Sequence, residues 1–527
     1  MQLNTEEDYK VKSRSGDTVT DIALDAIKKG KQVIVFVNTK RSAEACAEKI
    51  SEEIPNYIAT SKNHDEKKQV LNVLSTPTKQ CERLAKTIHN SACFHHSGLH
   101  SKQRSIVEQG FKRGKVKVIA ATPTLAAGLD MPAHTVIIRD LKRYSGGWGM
   151  TPIPVLEYEQ MAGRAGRPGY DDHGVAVTLA KTDEEKERIR ETYIEGEPED
   201  IHSKLAAEPK LRMHILSLIS SEIIGTEDEA QSFFEETFYG SQYGNDAELK
   251  VLISKVIQSL KEWEMIQGDQ EKQQSTGFVS AKELQQQKAG QLKATVLGKR
   301  VSQLYIDPLT AHILLTKTEG KDLNVFSVLH LLCSTPELKP LSRVKKGDKE
   351  RVELAAATEE IYTDAPTSYE QGFKEFLNEV KTAKVLQSWI NERSEKAMNE
   401  AYSVTPGEVH GKTQRAEWLL YALAELLHIQ KRNSQRNSIQ RIHERMKHGV
   451  RKDVLPLLKL RGIGRVRARK LMNNKIRTLK DLKKVSYQRL SGVLGAKIAR
   501  SLFEQVDRNV SDKAEEENTK RKTLLDY

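Results

Sequence analysis

VIAATPTLAAGLDMPAHTVIIRD, residues Val118 to Asp140, decides the fold. It opens on an apolar run and closes on a second one, TVIIRD (Thr135–Asp140). The loop between them carries two threonines, a glycine and an aspartate. Apolar runs that do not alternate with polar residues suit strands buried on both faces of a parallel sheet. Working outward, VKVIAAT (Val116–Thr122) extends the first run, and VIVFV (Val33–Val37), CFHH (Cys93–His96) and VAVTLA (Val175–Ala180) repeat the pattern with helical stretches between them. Asn38-Thr39 reads as a turn and cap before a helix from about Ser42 to Glu53. Residues 1–204 are therefore expected to be an α/β domain.

Beyond Leu205 the pattern turns helical. Residues 205–304 hold short helices, among them LKVLISKVIQSLKEW (Leu249–Trp263), and then extended pieces, including KATVLGKRVSQLYI (Lys293–Ile306). Helices followed by a ribbon predict a winged helix. Residues 305–440 read as a helical bundle, 441–510 as a compact helical module, and 511–527, which opens on SDKAEEENTKRK, as a charged disordered tail. The 527 residues suit three or four domains at roughly 100–200 residues each.

Lys plus Arg number 84 and Asp plus Glu 72, a formal charge of +12, which weakly favours a polyanionic partner. The four cysteines, Cys46, Cys81, Cys93 and Cys333, form no CxxC pair, so neither a zinc site nor a disulfide framework is indicated. No metal site is expected. No apolar run reaches the roughly 18 residues of a membrane span, and MQLNTEEDYK has no apolar core, so a cytoplasmic setting is expected.

Two segments carry charge chemistry. Thr122 and Thr124 follow a strand, at the sheet edge where α/β proteins bind ligands. Their hydroxyls suit phosphate contacts made without reading sequence; the competing reading of Thr122 is a plain helix cap. In QMAGRAGRPG (Gln160–Gly169), Arg164 and Arg167 stand three apart and would share one helix face. Gly163 and Gly166 remove bulk beside them. Planar, permanently charged guanidinium groups suit the charge of a transferring phosphoryl group, although a surface ion-pair role competes.

Together with VIVFVNTKRSAE (Val33–Glu44), these segments resemble motifs IV, V and VI of superfamily 2 helicases. The whole chain to about residue 507 resembles the Ski2-like archaeal repair helicases that unwind forked DNA with 3′-to-5′ polarity, relatives of the helicase half of polymerase theta. GEPEDIHSKL (Gly196–Leu205), LYIDPLTAHI (Leu304–Ile313), RAEWLLYAL (Arg415–Leu423), RMKHGV (Arg445–Val450) and RGIGRVRARKL (Arg461–Leu471) carry that resemblance. It implies a second RecA-like motor lobe, a winged helix, an all-α ratchet bundle and a helix-hairpin-helix domain. It implies ATP and Mg2+ as cofactors, with Gln160, Gly128, Asp130, Arg164 and Arg167 facing the nucleotide. On the DNA side it implies Asn38, Thr39, His96 from FHHSGL (Phe94–Leu99), Thr122 and Thr124.

Between motifs V and VI, LKRYSGGWGMTPIPVLEYE (Leu141–Glu159) sits where the family has a strand-separating hairpin. Tyr144, Trp148, Met150 and Ile153 are candidate wedges against the last base pair, and Pro152 and Pro154 predict a short second arm. A surface loop is the competing reading. Trp418 matches the family's base-stacking tryptophan, against an ordinary core role. The family's arginine two turns earlier is replaced by Gly411, leaving Lys412 and Arg415 as candidate charge contacts. In LRGIGRVRARKL (Leu460–Leu471), Gly462 and Gly464 predict a tight turn approaching a phosphate, flanked by Arg465 and Arg467; a purely structural hairpin competes. SGVLGAKIA (Ser491–Ala499) is a second, weaker hairpin. The terminal TLLDY is a weak match to a sliding-clamp peptide and lacks its glutamine.

ATP hydrolysis also needs a phosphate loop and an acidic pair. Gly411-Lys412-Thr413 has Pro406 where the loop requires glycine and reads as an interhelical turn. Asp183-Glu184 sits inside a Thr182/Glu185 capping box. The first motor lobe is thus expected to be absent, as in a truncated reading frame, a fragment or a split gene, and this chain alone is expected to be inactive. The first lobe, separately supplied, would be a partner beside single-stranded and forked DNA. The alternatives are a non-catalytic single-stranded or forked DNA-binding protein and an RNA helicase of related architecture.

Overall fold

The computed structural model describes residues 11–57, 63–74, 76–126, 131–144, 149–166, 169, 171–205, 207–244, 247–268 and 291–505. The chain forms two compact units: residues 1–201 with 394–410, and residues 202–393 with 411–527.

The first unit is built on a five-stranded sheet of β1 (Val33–Phe36), β2 (Ala92–His95), β3 (Val118–Ala121), β4 (Thr135–Ile138) and, after the hairpin strands β5 (Lys142–Tyr144) and β6 (Met150–Pro152), β7 (Val175–Thr178). The order is β2-β3-β1-β4-β7, with every pair parallel. Each expected strand is present, and all residues of β1 to β4 are buried, as apolar runs without alternation require. Register aligns His95, Ala121, Phe36, Ile138 and Thr178 in one row. The residues that follow therefore leave the sheet along a single edge. Gln32, buried just before β1, donates to the carbonyls of Phe111 and Val116 at 2.8 Å each and fixes the opposite edge.

The helix after β1 runs over Lys40–Tyr57, longer at both ends than expected. It packs against the helix Lys79–His89, where Arg83 binds Glu44 and spans Glu48 at 2.5 and 2.9 Å. Thr182 caps Asp183–Ile189 by accepting from the Glu185 amide, and Glu185 accepts in turn from Lys181. The Thr182 cap expected for this stretch is thus present, but the return bond from Glu185 reaches the Lys181 amide rather than that of Thr182, so the expected box is not closed.

In the second unit, helices Glu208–Ser220, Glu227–Glu235, Phe238–Tyr243 and Ala247–Glu262 precede a ribbon of β8 (Ile266–Gly268) and β9 (Leu292–Ala294). Only the first residues of the expected extended piece at 293–306 are strand; Val296–Leu304 is a helix. Thr295 caps it through the Gly298 amide, and Val301 and Leu304, three apart, bury its inner face. Capping and burial thus override the β-branched valines. One continuous core runs from Leu211 to Met446, across the boundary expected near residue 304. Residues 394–410, expected in the bundle, belong to the first unit. A separate core from Val450 to Leu502 forms the last module. The charged tail and TLLDY lie outside the described residues.

All four cysteines are buried and unpaired. Burial pushes the Cys46 thiol up to about 12 and those of Cys93 and Cys333 well above the ordinary thiol value. Among the described residues no helix is long and apolar enough to cross a membrane.

The second unit contains a buried ion pair. Arg212 on Glu208–Ser220 donates to both oxygens of Asp307 at 3.0 and 2.8 Å, and Asp307 caps the helix Pro308–Lys317. Removing one partner strands the other charge, at about 3–5 kcal/mol. Arg212→Met is expected to lower stability by about that amount, and more than Asp307→Asn combined with Arg212→Met does. Urea unfolding followed by circular dichroism checks the difference.

Candidate nucleic-acid and nucleotide interface

The row of strand ends fixes where the candidate residues of the first unit lie. After β1, the Asn38 amide donates to Asp140 Oδ2 at 2.9 Å, tying two adjacent exits together. Arg139 holds the same carboxylate at 2.6 and 3.1 Å. Thr39 is exposed, and its hydroxyl accepts from the Ser42 amide at 3.0 Å, so it starts the helix it precedes. After β3, the Thr122 and Thr124 hydroxyls lie 3.0 Å apart. Thr122 makes no side-chain cap to the short turn Pro123–Leu125, so the plain-cap reading does not describe it.

His96, expected at the DNA, is fully buried. Its ring stacks on Phe94 with centroids 5.4 Å apart, and its Nδ1 accepts from the Gly98 amide at 3.1 Å. That bond leaves the ring proton on Nε2, which lies 3.3 Å from Glu44 Oε1. Burial raises the Glu44 pKa, but hydrogen bonds from His96 and Gln80 and the Arg83 charge hold it below the usual carboxylate range. The expectation is corrected: His96 shapes the Ser97–Leu99 loop from inside. A strand-end histidine in sequence does not reveal whether its ring points inward. His95 is likewise buried, against Glu108 at 2.9 Å.

The helix Val155–Ala162 ends before Arg164, which stands in a turn, so the helix-face reading is corrected for Arg164. Two bonds weld this turn to the start of β4: Ala133 amide to Arg164 carbonyl at 2.9 Å and Gly166 amide to Ala133 carbonyl at 2.7 Å. Gly166 has φ +90°, which explains its glycine. The Arg164 guanidinium donates through Nε to the Ala126 carbonyl at 3.0 Å, and its terminal nitrogen binds the same oxygen. Motif VI thereby grips the loop that begins at Thr122. Gln160 is exposed at the end of its helix. Gly128, Asp130 and Arg167 lie outside the described residues.

The expected hairpin is present with three-residue arms, pairing Lys142 with Pro152, Arg143 with Thr151 and Tyr144 with Met150. Tyr144 and Met150, the pair nearest the tip, are both exposed. Trp148 lies outside the described residues. Ile153 is corrected as a wedge: it is buried, its amide donates to Leu141, and its carbonyl accepts from the Tyr193 hydroxyl.

In the second unit, Trp418 is partly buried against the core and donates its indole N–H to the Leu304 carbonyl at 3.0 Å. Gly411, Lys412 and Thr413 lie within the helix Pro406–Ile429, which corrects the interhelical turn and is equally unlike a phosphate loop. Lys412 is buried, and its ammonium donates to the Pro340 carbonyl at 3.0 Å. Arg415 donates to Lys339 at 2.8 Å. Both expected charge contacts therefore already serve the segment at 339–340.

In the last module, Gly462 takes φ +81° and Gly464 precedes the helix Arg465–Asn473, giving the expected tight turn. Arg467 is exposed and donates to the Gly462 carbonyl at 2.6 Å. Arg465 lies over the Trp389 ring and donates to Arg393 at 2.8 Å. Arg469, counted with the flanking charges in sequence, binds Asp453 and Glu392 through two edges of its guanidinium, which raises its pKa further. It fastens the module rather than facing outward. Among the described residues no group of three His, Cys, Asp or Glu side chains could hold a metal.

One positioning contact gave no sequence signal. Gly407 donates its amide to Gly98 at 3.0 Å, and a Cβ there would come within 2.2 Å of the Ser97 carbonyl oxygen. Beside it, Glu408 binds Lys40 at 2.7 Å and accepts from the Thr405 amide at 2.9 Å. Burial raises the Glu408 pKa, but the Lys40 charge and these hydrogen bonds outweigh it and hold the carboxyl at about 2. Because the folded value lies below the ordinary 4.5, its stabilisation is complete above pH 4.5 and is lost as pH falls toward about 2. Both side chains remain over a third exposed, so the pair is worth under about 1 kcal/mol. Glu408→Gln is expected to lower the unfolding midpoint slightly at pH 7, with the gap to the unaltered chain closing below pH 4; thermal scans across pH check it.

Three stretches match known families: residues 52–169 the helicase conserved C-terminal domain, 326–449 the archaeal helicase domain 4, and 459–506 the DNA polymerase-iota thumb domain. The chain is 37% identical over 96% of its length to a Methanocella arvoryzae protein named ATP-dependent DNA helicase Hel308, of which it covers 66%. It is 37% identical over 96% of its length to the protein of that name from Pyrococcus horikoshii, covering 68%, and 32% identical over 98% to that from Caldivirga maquilingensis, covering 70%. The chain thus spans about two-thirds of the length of the curated relatives it matches. Likeness at this level along nearly its whole length means that the chain belongs to the Hel308 family of archaeal DNA helicases.

Proposed function

We propose that this chain supplies the second motor lobe and the DNA-gripping parts of an ATP-dependent 3′-to-5′ helicase that unwinds forked DNA in repair or recombination. The observation that carries the reading is the bond from Arg164 to the Ala126 carbonyl. It joins the arginine that would face a nucleotide to the loop whose Thr122 and Thr124 hydroxyls would face DNA phosphates. A guanidinium that exchanges a backbone carbonyl for phosphate oxygens would release that loop, so nucleotide occupancy would be felt at the strand. The naming of the relatives as ATP-dependent DNA helicases supports the same reading.

In this proposal the exposed Tyr144 and Met150 at the hairpin tip meet the fork, and residues 205–304 act as a winged helix. Trp418 supports the separated strand, and the turn at Gly462 and Gly464 meets the backbone. Gln160 and Arg164 offer donors to ATP; Gly128, Asp130 and Arg167 join them by family likeness. ATP supplies a phosphoanhydride whose cleavage drives the cycle. The sequence holds no phosphate loop, and no described carboxylate cluster suits Mg2+. Turnover would therefore need a first lobe contributed from outside these residues.

The test is an ATPase assay with forked DNA, on the chain alone and with a separately supplied first lobe. The chain alone is expected to bind forked DNA in a salt-dependent way and to hydrolyse nothing; the added lobe restores hydrolysis. Arg164→Ala is expected to lower the restored rate by about 10³–10⁵ while leaving binding nearly intact. Hydrolysis by the chain alone would overturn the division of labour, and tighter binding to a matched RNA fork would move the reading to RNA.

A further inference from the structure

Tyr305 is held in a disfavoured conformation that leaves its ring largely exposed. It ends the helix Val296–Leu304 at φ 59° and ψ 30°, the left-handed region that bulky L residues avoid. Seven other non-glycine residues among those described have positive φ, and all are Ser, Glu or Lys; Tyr305 is the aromatic one. Its side chain is 77% exposed. Among the described residues that side chain makes no hydrogen bond and no ring contact.

The backbone on both sides is immobilised. Leu304 is buried, and its carbonyl accepts the Trp418 indole N–H. Ile306 is buried, and Asp307 is clamped by Arg212 while its amide donates to Glu337 at 2.9 Å. With its neighbours fixed inward, the Tyr305 ring is directed out. The same helix lies along Pro406–Ile429: Arg300 donates to the Tyr421 hydroxyl at 3.2 Å and to Glu425 at 2.7 Å. Tyr305, Trp418 and Tyr421 are thus brought to one seam. Strain kept at an exposed aromatic, and supported by buried bonds on either side, is the pattern of a preorganised contact.

We propose that Tyr305 is a base-stacking platform for single-stranded DNA beside Trp418, a role that rests on the helicase reading above. Trp418 is partly buried and edge-bound, whereas Tyr305 offers an open ring on a rigid backbone. Stacking tolerates any base, as movement along a strand requires. The ring carries no charge, so it adds affinity without adding a phosphate contact.

The experiment uses the full chain with single-stranded oligonucleotides containing 2-aminopurine, read by anisotropy and by base fluorescence across salt concentrations. Tyr305→Ala is expected to weaken binding by about 5- to 150-fold, to relieve the 2-aminopurine quenching and to leave the salt slope unchanged. Tyr305→Phe keeps both signals. Tyr305→Gly is expected to raise the thermal midpoint, since glycine accepts this φ, while binding as weakly as the alanine variant. Unaltered binding and quenching in Tyr305→Ala would sink the stack while leaving the helicase reading intact. A lower thermal midpoint for Tyr305→Gly, or a shallower salt slope for Tyr305→Ala, would make the residue structural and overturn it as well. No binding by the unaltered chain would instead sink the DNA reading on which it rests.

Discussion

The ladder that pairs β1 with β3 on one side and β4 on the other is the constraint on which the first unit depends. Parallel pairing with every strand end in one row places Asn38, Thr122 and Asp140 at the same level of the sheet. A slip of one residue in β1 would turn its buried residues to opposite faces. It would also part the Asn38 amide from Asp140. The bond from Arg164 to Ala126 then extends that edge to the turn after the helix Val155–Ala162. The candidate site is therefore a property of the sheet's register more than of any single loop.

Charge is divided between holding the protein together and facing outward. Arg83, Arg212 and Arg469 are committed to carboxylates, and Lys412 and Arg415 to backbone carbonyls. The count of 84 lysines and arginines consequently overstates what is available to a polyanion. Arg467, beside the turn at Gly462, is exposed and bound only to a nearby carbonyl, so it can exchange that bond for a phosphate oxygen. Its neighbour Arg469, two residues on, cannot do so without stranding two carboxylates.

All five strands of the large sheet were legible in the sequence: β1 to β4 because buried parallel strands leave an apolar signature, and β7, which is only partly covered, through its valines. Their order was not, since it depends on which runs meet in space. The hairpin and its short arms were legible from glycines and prolines around Ser145–Met150. The inward turn of His96 and Ile153 was not, because neither periodicity nor motif records which face of a loop is covered. Lys412 misled for a related reason: a lysine beside a family's arginine position looks available until the segment at 339–340 is seen to occupy it. Val296–Leu304 misled through composition, where a threonine cap and three-residue spacing outweighed the valines. The contact of Gly407 with Ser97–Leu99 joins residues some 300 positions apart, a separation no local pattern encodes.

The four buried thiols have a practical reach. Thiolate is the reactive form, and in the folded chain burial keeps Cys46, Cys93 and Cys333 protonated at any physiological pH, while Cys81 is shielded by its surroundings. Maleimide dyes should thus find almost nothing to attack until the fold opens. A single cysteine placed on an exposed position would take up a fluorophore against a dark background, and slow labelling of the native four would act as a clock for local opening around the sheet and in the large helical core, the last module holding no thiol.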